Sequence, residues 1–385
     1  MAYSPITYAD KVENNGATPA GRFGADDLNE IKTVTNANGA DFDGRIDALE
    51  TGADVSQSTV VSAGSTEARK LADRFADTVN VKDFGAVGDG VADDYVAIQA
   101  ALDAGGSIIF PAGTYLVGTQ IRIGSNSTLD LTSSAVIQRG FNTSGSGDGL
   151  AGITTGSTNV KILGGTFDAN GTVYGTGSGN ALSGLTLSNV EIKGTTFLDV
   201  VDYHAIDFGD ATNILITDCK FYGTNNTCIR ALEVHNMIIS NNIMRGASTV
   251  INLQDVTDIN ITGNSIKDVS GTGIYLTESV RRVSITGNIM HDLDGRAVHV
   301  TGTGAADRSD ITISGNQISD CAGDSFIACD SGASSNILIS NNHLSVGTLA
   351  KAPTGSYYIY VSATGANRQV FDNFVDDAIA ATASI

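Results

Sequence analysis

One nine-residue pattern recurs along most of this chain and limits what it can fold into. NVKILGGTF begins at Asn159 and NVEIKGTTF at Asn189. NILITDCKF (Asn213), NMIISNNIM (Asn236), DINITGNSI (Asp258), RVSITGNIM (Arg282), DITISGNQI (Asp310), NILISNNHL (Asn336) and NRQVFDNFV (Asn367) follow, at spacings of 22 to 31 residues. A constant core at irregular spacing describes a solenoid whose coils carry loops of different length. Within each unit apolar and polar residues alternate, as in Ile259-Asn260-Ile261-Thr262, which is the period of a strand. Stacked in register, the units form a parallel β-helix.

The ninth position of every unit is apolar: Phe167, Phe197, Phe221, Met244, Ile266, Met290, Ile318, Leu344 and Val375. Stacking would align these in one interior column and bury apolar area coil on coil. The seventh position is Asn242, Asn264, Asn288, Asn316, Asn342 and Asn373, with Cys219 in the third unit. An inward Asn at a bend can bond the backbone of its own turn and the amide stacked above it, so this column is structural.

A second strand follows in each coil: HAIDF, CIRAL, VINLQ, GIYLT, AVHVT, SFIAC and YYIYV. With Ile206, Ile229, Ile251, Ile274, Val298, Phe326 and Ile359 pointing inward, the outward column is Asp207, Arg230, Asn252, Tyr275, His299, Ile327 and Tyr360. Neighbouring coils lie about 4.8 Å apart, so adjacent members can touch one ligand. Asp207, Arg230 and His299 are the candidate catalytic groups of this column, and Asn252, Tyr275 and Tyr360 the candidate substrate-binding groups. Asp199, Asp202, His204 and Asp210 lie nearby, and Glu233, Glu278, Asp292 and Asp294 at other strand ends or loops. Exposed faces of β-helices are polar in any case, so the column by itself does not establish a site. His235, His291 and His343 are read as ordinary surface or turn residues.

The stretch DFGAVGDGVADD at 83–94 raises other possibilities. A P-loop needs GxxxxGK[ST], and no Lys follows. The spacing of Gly85, Gly88 and Gly90 is not GxGxxG, and an EF-hand's alternating oxygen ligands and closing Glu are missing. DDYVAIQAALDAGG reads instead as a short amphipathic helix over 93–104. Asp93 caps it, Val96, Ile98, Ala101 and Leu102 supply apolar surface, and Gly105 ends it. SIIFPAGTYLV reads as strand, turn and strand. The open apolar end of a β-helix must be covered, and this helix is placed to cover it.

VNVKDFGAVGDGVADDYVAIQAAL…GGSIIFPAGTYLV resembles the N-terminal lead-in of the pectate-lyase-like superfamily of right-handed β-helices, above all those of bacteriophage tailspikes and tail fibres. The specific match covers about 79–117, and the ladder extends it to about 375. TYADKVENNGATPAGRFGADDLNEIKTVTNA resembles the virion-attachment segments of phage tail proteins, and STEARKLADRFADTVNVKDFGAVGDG the neck that joins them to tailspike β-helices. The resemblance implies an all-β right-handed parallel β-helix with a short α-helical virion-attachment segment. It further implies a homotrimer held by its N-terminus to phage tail or portal-proximal virion proteins, assembled in the host cytoplasm and directed at host surface polysaccharide. The expected organisation is 1–55 attachment segment with a short coiled coil, 56–80 linker and neck helix, 81–375 β-helix and 376–385 tail. Only ten residues follow Val375, so no C-terminal trimerisation domain is expected.

Tailspikes of this kind share a fold and differ in chemistry. Recognition without cleavage, an active depolymerase (hydrolase or lyase) and a structural adaptor carrying another receptor-binding subunit all remain open. The polygalacturonase motifs NTD, DD, GHG and RIK do not occur as a set. No cofactor or metal is expected: Cys219, Cys228, Cys321 and Cys329 lack zinc-ligand spacing and read as buried reduced thiols. A net charge of −20 argues against nucleic acid as a partner. MAYSPITYAD has no secretory character, and no apolar run approaches a membrane span.

Overall fold

Each repeat unit pairs with the next as a parallel strand in the expected register. Val160, Val190, Ile214, Met237, Ile259, Val283 and Ile311 are successive partners on one buried line. The structure, a computed structural model, describes residues 59–376 apart from 62–63, 65, 71–72, 75–76, 143–148, 175–178, 304–306, 331–333, 347–351, 355–357 and 363–365. The attachment segment and short coiled coil expected over 1–55, and the tail from 377 on, lie outside the described residues.

The chain divides into two units, Met1–Arg74 and Phe75–Ile385. In the first, Thr59–Val61 pairs antiparallel with Ala68–Lys70. This corrects, at these residues, the expectation of a linker and neck helix over 56–80. The β-branched run Thr59-Val60-Val61 favours extended backbone, and the pairing satisfies main-chain groups that an isolated short helix would satisfy poorly.

The second unit is the β-solenoid, and every coil contributes to three parallel ladders. In the central coils two ladders share one long strand: His204–Thr217, Thr227–Ser240, Thr249–Thr262 and Thr272–Thr286. Each is turned by two residues of positive φ: Asp210 and Asn213, Glu233 and Asn236, Asp255 and Asp258, Glu278 and Arg282. The short side chains of Asn and Asp tolerate that backbone, which explains why most units begin with one. The third ladder carries the ninth-position column. Phe167, Phe197 and Phe221 stack at centroid distances of 5.8 and 5.1 Å.

The asparagines form a continuous interior ladder. Asn264 Oδ1 accepts from the backbone N and Nδ2 of Asn242, and Asn264 Nδ2 donates to Ile239 O and Asn288 Oδ1. The pattern repeats through Asn288, Asn316, Asn342 and Asn373. Cys219 sits at the start of the ladder, where its backbone N donates to Asn242 Oδ1 and its thiol reaches Thr217 O. All four cysteines are free and buried. A second ladder, which the sequence reading did not identify, runs along the first position of the units. Asn159 donates to Asn126, Asn189 to Asn159, Asn213 to Asn189 and Asn236 to Asn213, all on the surface. Arg282 forks onto Asp258 in the same line.

The helix Tyr95–Ala104 covers the N-terminal coils with Ile98, Ala101 and Leu102 buried, and Gly105 ends it. Val96 is 75% exposed, contrary to expectation. It lies two residues from Ile98, on the far side of a 3.6-residue turn. The Gln99 carboxamide donates to Arg122 O and accepts from Arg122 N, so a helix side chain completes the strand edge that the first coils leave open. The aspartates of 83–94 are turn and capping groups. Asp94 accepts from Val87 N and Gly88 N, Asp89 from Val91 N and Ala92 N, and Asp93 from Tyr95 N and Gly118 N. Gly85, Gly88 and Gly90 all have positive φ. Among the described residues no helix is long and apolar enough to cross a membrane.

Candidate functional site

The outward column exists and is longer than expected. Cα pairing aligns Arg122, Gly152, Ser183, Asp207, Arg230, Asn252, Tyr275, His299, Ala328 and Tyr360 on one sheet face. One position is a correction. Ile327, expected to point out, pairs with Val298 and is fully buried, and Ala328 takes the place beside His299. Phe326 does not pair with Val298. It precedes the strand, packing edge-on against Tyr358 at 5.1 Å while its backbone N donates to Tyr358 O. That corner contact consumes one residue and shifts the register.

Two clusters occupy the column. The first surrounds Asp207 and Arg230. Arg230 Nη1 donates to Asp207 Oδ1 at 2.9 Å, and Asn180 Nδ2 donates to Asp207 Oδ2 at 3.2 Å. Asn180 Oδ1 in turn accepts from His204 N. The His204 Nδ1 is buried without a hydrogen-bond partner. Burial pushes the His204 imidazole below its ordinary pKa. Asp207 opposes that shift and Arg230 reinforces it. Beside this pair an open cleft of about 270 Å³ is lined by Arg122, Gly152, Asn180, Ser183, Asp207 and Arg230, with Leu185 and Leu232 as apolar walls.

The second cluster surrounds His299. Arg296 forks onto Asp324 through Nε and Nη2, the latter at 2.6 Å, and its Nη1 donates to Asp330 Oδ2 at 2.9 Å. His299 Nε2 lies 2.9 Å from Asp330 Oδ1 and also within reach of Arg296 Nη1. It can accept from the guanidinium only as a bare nitrogen and donate to the carboxylate only as N–H, so the two contacts belong to different tautomers or protonation states of the ring. Burial pushes the His299 pKa down. The Asp324 carboxyl is held below its usual value by the bonds from Arg296. Burial works against ionisation of Asp330, yet the bonds from His299 and Thr301 and the nearby charges leave it below its usual value. Tyr275 packs on the His299 ring at 5.1 Å. Asn252 lies between the clusters, and Tyr360 stands one coil beyond Ala328, 38% exposed.

The column therefore brings Asp207 and Arg230 together and places His299 three coils away, about 14 Å along the stack. Sequence reasoning missed Arg122, because the coils before Asn159 lack the repeat that reveals register, and Asn180 and Ser183, because they precede HAIDF, where the recognised series of second strands begins. It also missed Arg296, Asp324 and Asp330, which lie outside the aligned positions of the column. An Arg three residues before His299 was the available signal. Asp199, Asp202, Asp210, Glu233, Glu278 and Asp292 all have positive φ, which gives these acidic residues a turn-forming role. Among the described residues no cluster of His, Cys, Asp and Glu is disposed to hold a metal ion.

A family model described as right handed beta helix region matches residues 151–307. The chain is 35% identical over 203 residues to plasmin and fibronectin-binding protein A of Streptococcus pneumoniae, covering 43% of this chain and 28% of that protein. It is 31% identical over 155 residues to the preneck appendage protein of Bacillus phage PZA, covering 39% of this chain and 17% of that protein. The matched stretches thus span less than a third of these relatives. Among solved structures, the tailspike protein of E. coli bacteriophage HK620 superposes with a TM-score of 0.61 at 15% identity, covering 84% of this chain and 68% of that one. The chain carries a right-handed parallel β-helix, a fold it shares with that tailspike.

Proposed function

We propose that this tailspike-like β-helix protein is a phage tail component that recognises host surface polysaccharide along the outward column. The observation that carries this reading is the column itself. It sets Arg122, Ser183, Asp207, Arg230, Asn252, Tyr275 and His299 on one strand face at steps of about 4.8 Å, with an open cleft at one end. Charged, amide, hydroxyl and aromatic groups in a line suit an extended oligosaccharide, whose hydroxyls bond to the polar groups while its C–H faces pack on rings and aliphatic walls. The similarity to a phage appendage protein supports a place on the virion. The same proposal has the protein as a homotrimer, attached through its N-terminus to phage tail or portal-proximal proteins and assembled in the host cytoplasm.

Recognition is favoured over cleavage because glycoside hydrolysis needs one carboxyl group kept protonated as an acid. Asp207 accepts from Arg230 and Asn180, and Arg296 binds both Asp324 and Asp330. A second reading, an active depolymerase, has one observation in its favour. His204 presents a buried, unbonded Nδ1, and burial keeps its imidazole in the neutral form that can accept a proton.

The test is gel filtration with light scattering of the protein mixed with purified surface polysaccharides from a panel of candidate hosts. Co-elution with unshortened polymer is the expected result. Shortened chains would make the protein an enzyme, and an absence of both across the panel would overturn the polysaccharide reading. The same run reports the mass of the protein alone, expected at about three times the 39.6 kDa of one chain.

A further inference from the structure

Three features of the cleft are left over once the Asp207–Arg230 pair has been accounted for. First, its charged lining consists of two guanidinium groups and one carboxylate. Arg230 neutralises Asp207 at 2.9 Å, which leaves Arg122 as an unmatched cation in a chain of net charge −20. Arg122 is engaged through its backbone by Gln99, and among the described residues no carboxylate pairs with its side chain. Secondly, the guanidinium is aimed into the cleft: a Cβ built on Gly152 would lie 3.4 Å from Arg122 Nη1. Thirdly, Gln120 stands at the same point. It is 7% exposed, both atoms of its carboxamide are buried without a hydrogen-bond partner, and its Oε1 lies 3.3 Å from that Cβ position. A buried amide with neither donor nor acceptor satisfied is costly unless something supplies both.

The missing partner must therefore bring negative charge for Arg122 and a hydroxyl-like group, donor and acceptor at once, for Gln120. It must also present an apolar face to Leu185, which is 57% exposed at the cleft wall. The space, about 270 Å³, equals the liquid volume of roughly nine waters and admits one sugar ring. We propose that the cleft binds a single sugar residue bearing a carboxylate, with the carboxylate on Arg122, a ring hydroxyl on the Gln120 carboxamide and the ring over Gly152. This assignment rests on the polysaccharide reading and narrows it to acidic glycans. The absent side chain of Gly152 leaves room for the Gln120 carboxamide and the Arg122 guanidinium to lie against that coil at the edge of the cleft.

The test is saturation-transfer NMR of the full chain with galacturonate, glucuronate and N-acetylneuraminate against the neutral sugars galactose and glucose. Inorganic phosphate serves as a competitor. Two variants accompany it. Arg122→Gln removes the charge. Gly152→Leu fills the cleft, and Gly152 does not have the positive φ that would strain a side chain. The expected result is transfer to at least one carboxylated sugar, at least ten-fold weaker to neutral sugars, and lost in both variants. Equal transfer to neutral sugars, unchanged in Arg122→Gln, would overturn the acidic assignment and leave the polysaccharide reading standing. Binding that phosphate abolishes but Gly152→Leu does not would reduce the feature to an anion contact and overturn the sugar assignment. No transfer to any sugar would overturn it too, while the polymer co-elution experiment decides the broader reading separately.

Discussion

Asp207 and Arg230 are Cα partners on adjacent coils, and their side chains meet at 2.9 Å on the outer face of the solenoid. They are 23 residues apart in sequence, and only stacking makes them neighbours. Both are partly exposed, at 21% and 35% of their side-chain surface, so the pair contributes little to stability.

Arg230→Gln is therefore expected to change the unfolding free energy by less than about 1 kcal/mol. It should nonetheless weaken binding to the cognate polysaccharide at least ten-fold, because it removes one of two cations lining the cleft. Urea denaturation and a binding titration on the same preparation check both halves. A large loss of stability would reassign the pair to the fold.

The interior and exterior asparagine ladders should respond very differently to the same change. Asn264→Ala takes the acceptor from Asn242 N and removes the side-chain bonds to Asn242 Nδ2, Ile239 O and Asn288 Oδ1 in a dry core, at about 1–3 kcal/mol for each group left unsatisfied before relaxation. A loss of about 3 kcal/mol is expected. Asn213→Ala breaks bonds that water can replace, and should lose less than about 1 kcal/mol. Urea midpoints of the two variants test the contrast.

Arg139 is fully buried, and among the described residues none of its three guanidinium nitrogens has a hydrogen-bond partner. The Tyr174 ring lies 5.6 Å away, and the charges of Asp199 and Asp168 favour the guanidinium without bonding to it. Replacing a buried charge by an apolar side chain of similar volume is often stabilising by about 1–4 kcal/mol. Arg139→Met is expected to raise the urea midpoint. A lower midpoint would mean that the guanidinium is stabilised by more than this ring and these charges.

Acid should destabilise the β-helix in two stages. His204 and His299 are both held below the ordinary imidazole value of about 6.5 by burial. Above that pH folded and unfolded chains are equally neutral. Below it the unfolded chain takes up protons that the folded chain refuses, so stability falls by up to about 1.4 kcal/mol per pH unit for each histidine. Asp324 and Asp330 are also depressed in the folded chain. Their stabilisation persists down to about pH 4 and is lost below it. Unfolding midpoints measured from pH 8 to 3 should show both stages, and His204→Gln should flatten the slope between 6.5 and 5.

The solenoid was legible because strand periodicity and column identity are local and repeated. The ninth-position apolar residues, the inward asparagines and the run Asp207, Arg230, Asn252, Tyr275 and His299 all follow from aligning units of nearly constant length. What the repeat could not show was how coils of unequal length are brought into step. Phe326 docks on Tyr358 before its strand begins, which turns Ile327 inward and Ala328 outward. The coils before Asn159 carry no repeat and the strand of Ser183 does not match the later second strands, so Arg122, Gly152 and Ser183 joined the column only when chain packing set their register. Arg296, Asp324 and Asp330 converge from different loops, and no spacing announces such a meeting. The sequence by itself determined the strands, the inward and outward sides and the cap over the first coils, because each depends on neighbours a few residues away. Only the tertiary structure decided which polar side chains share a site. Their contacts run between coils, across loops of unequal length, and packing alone sets that register.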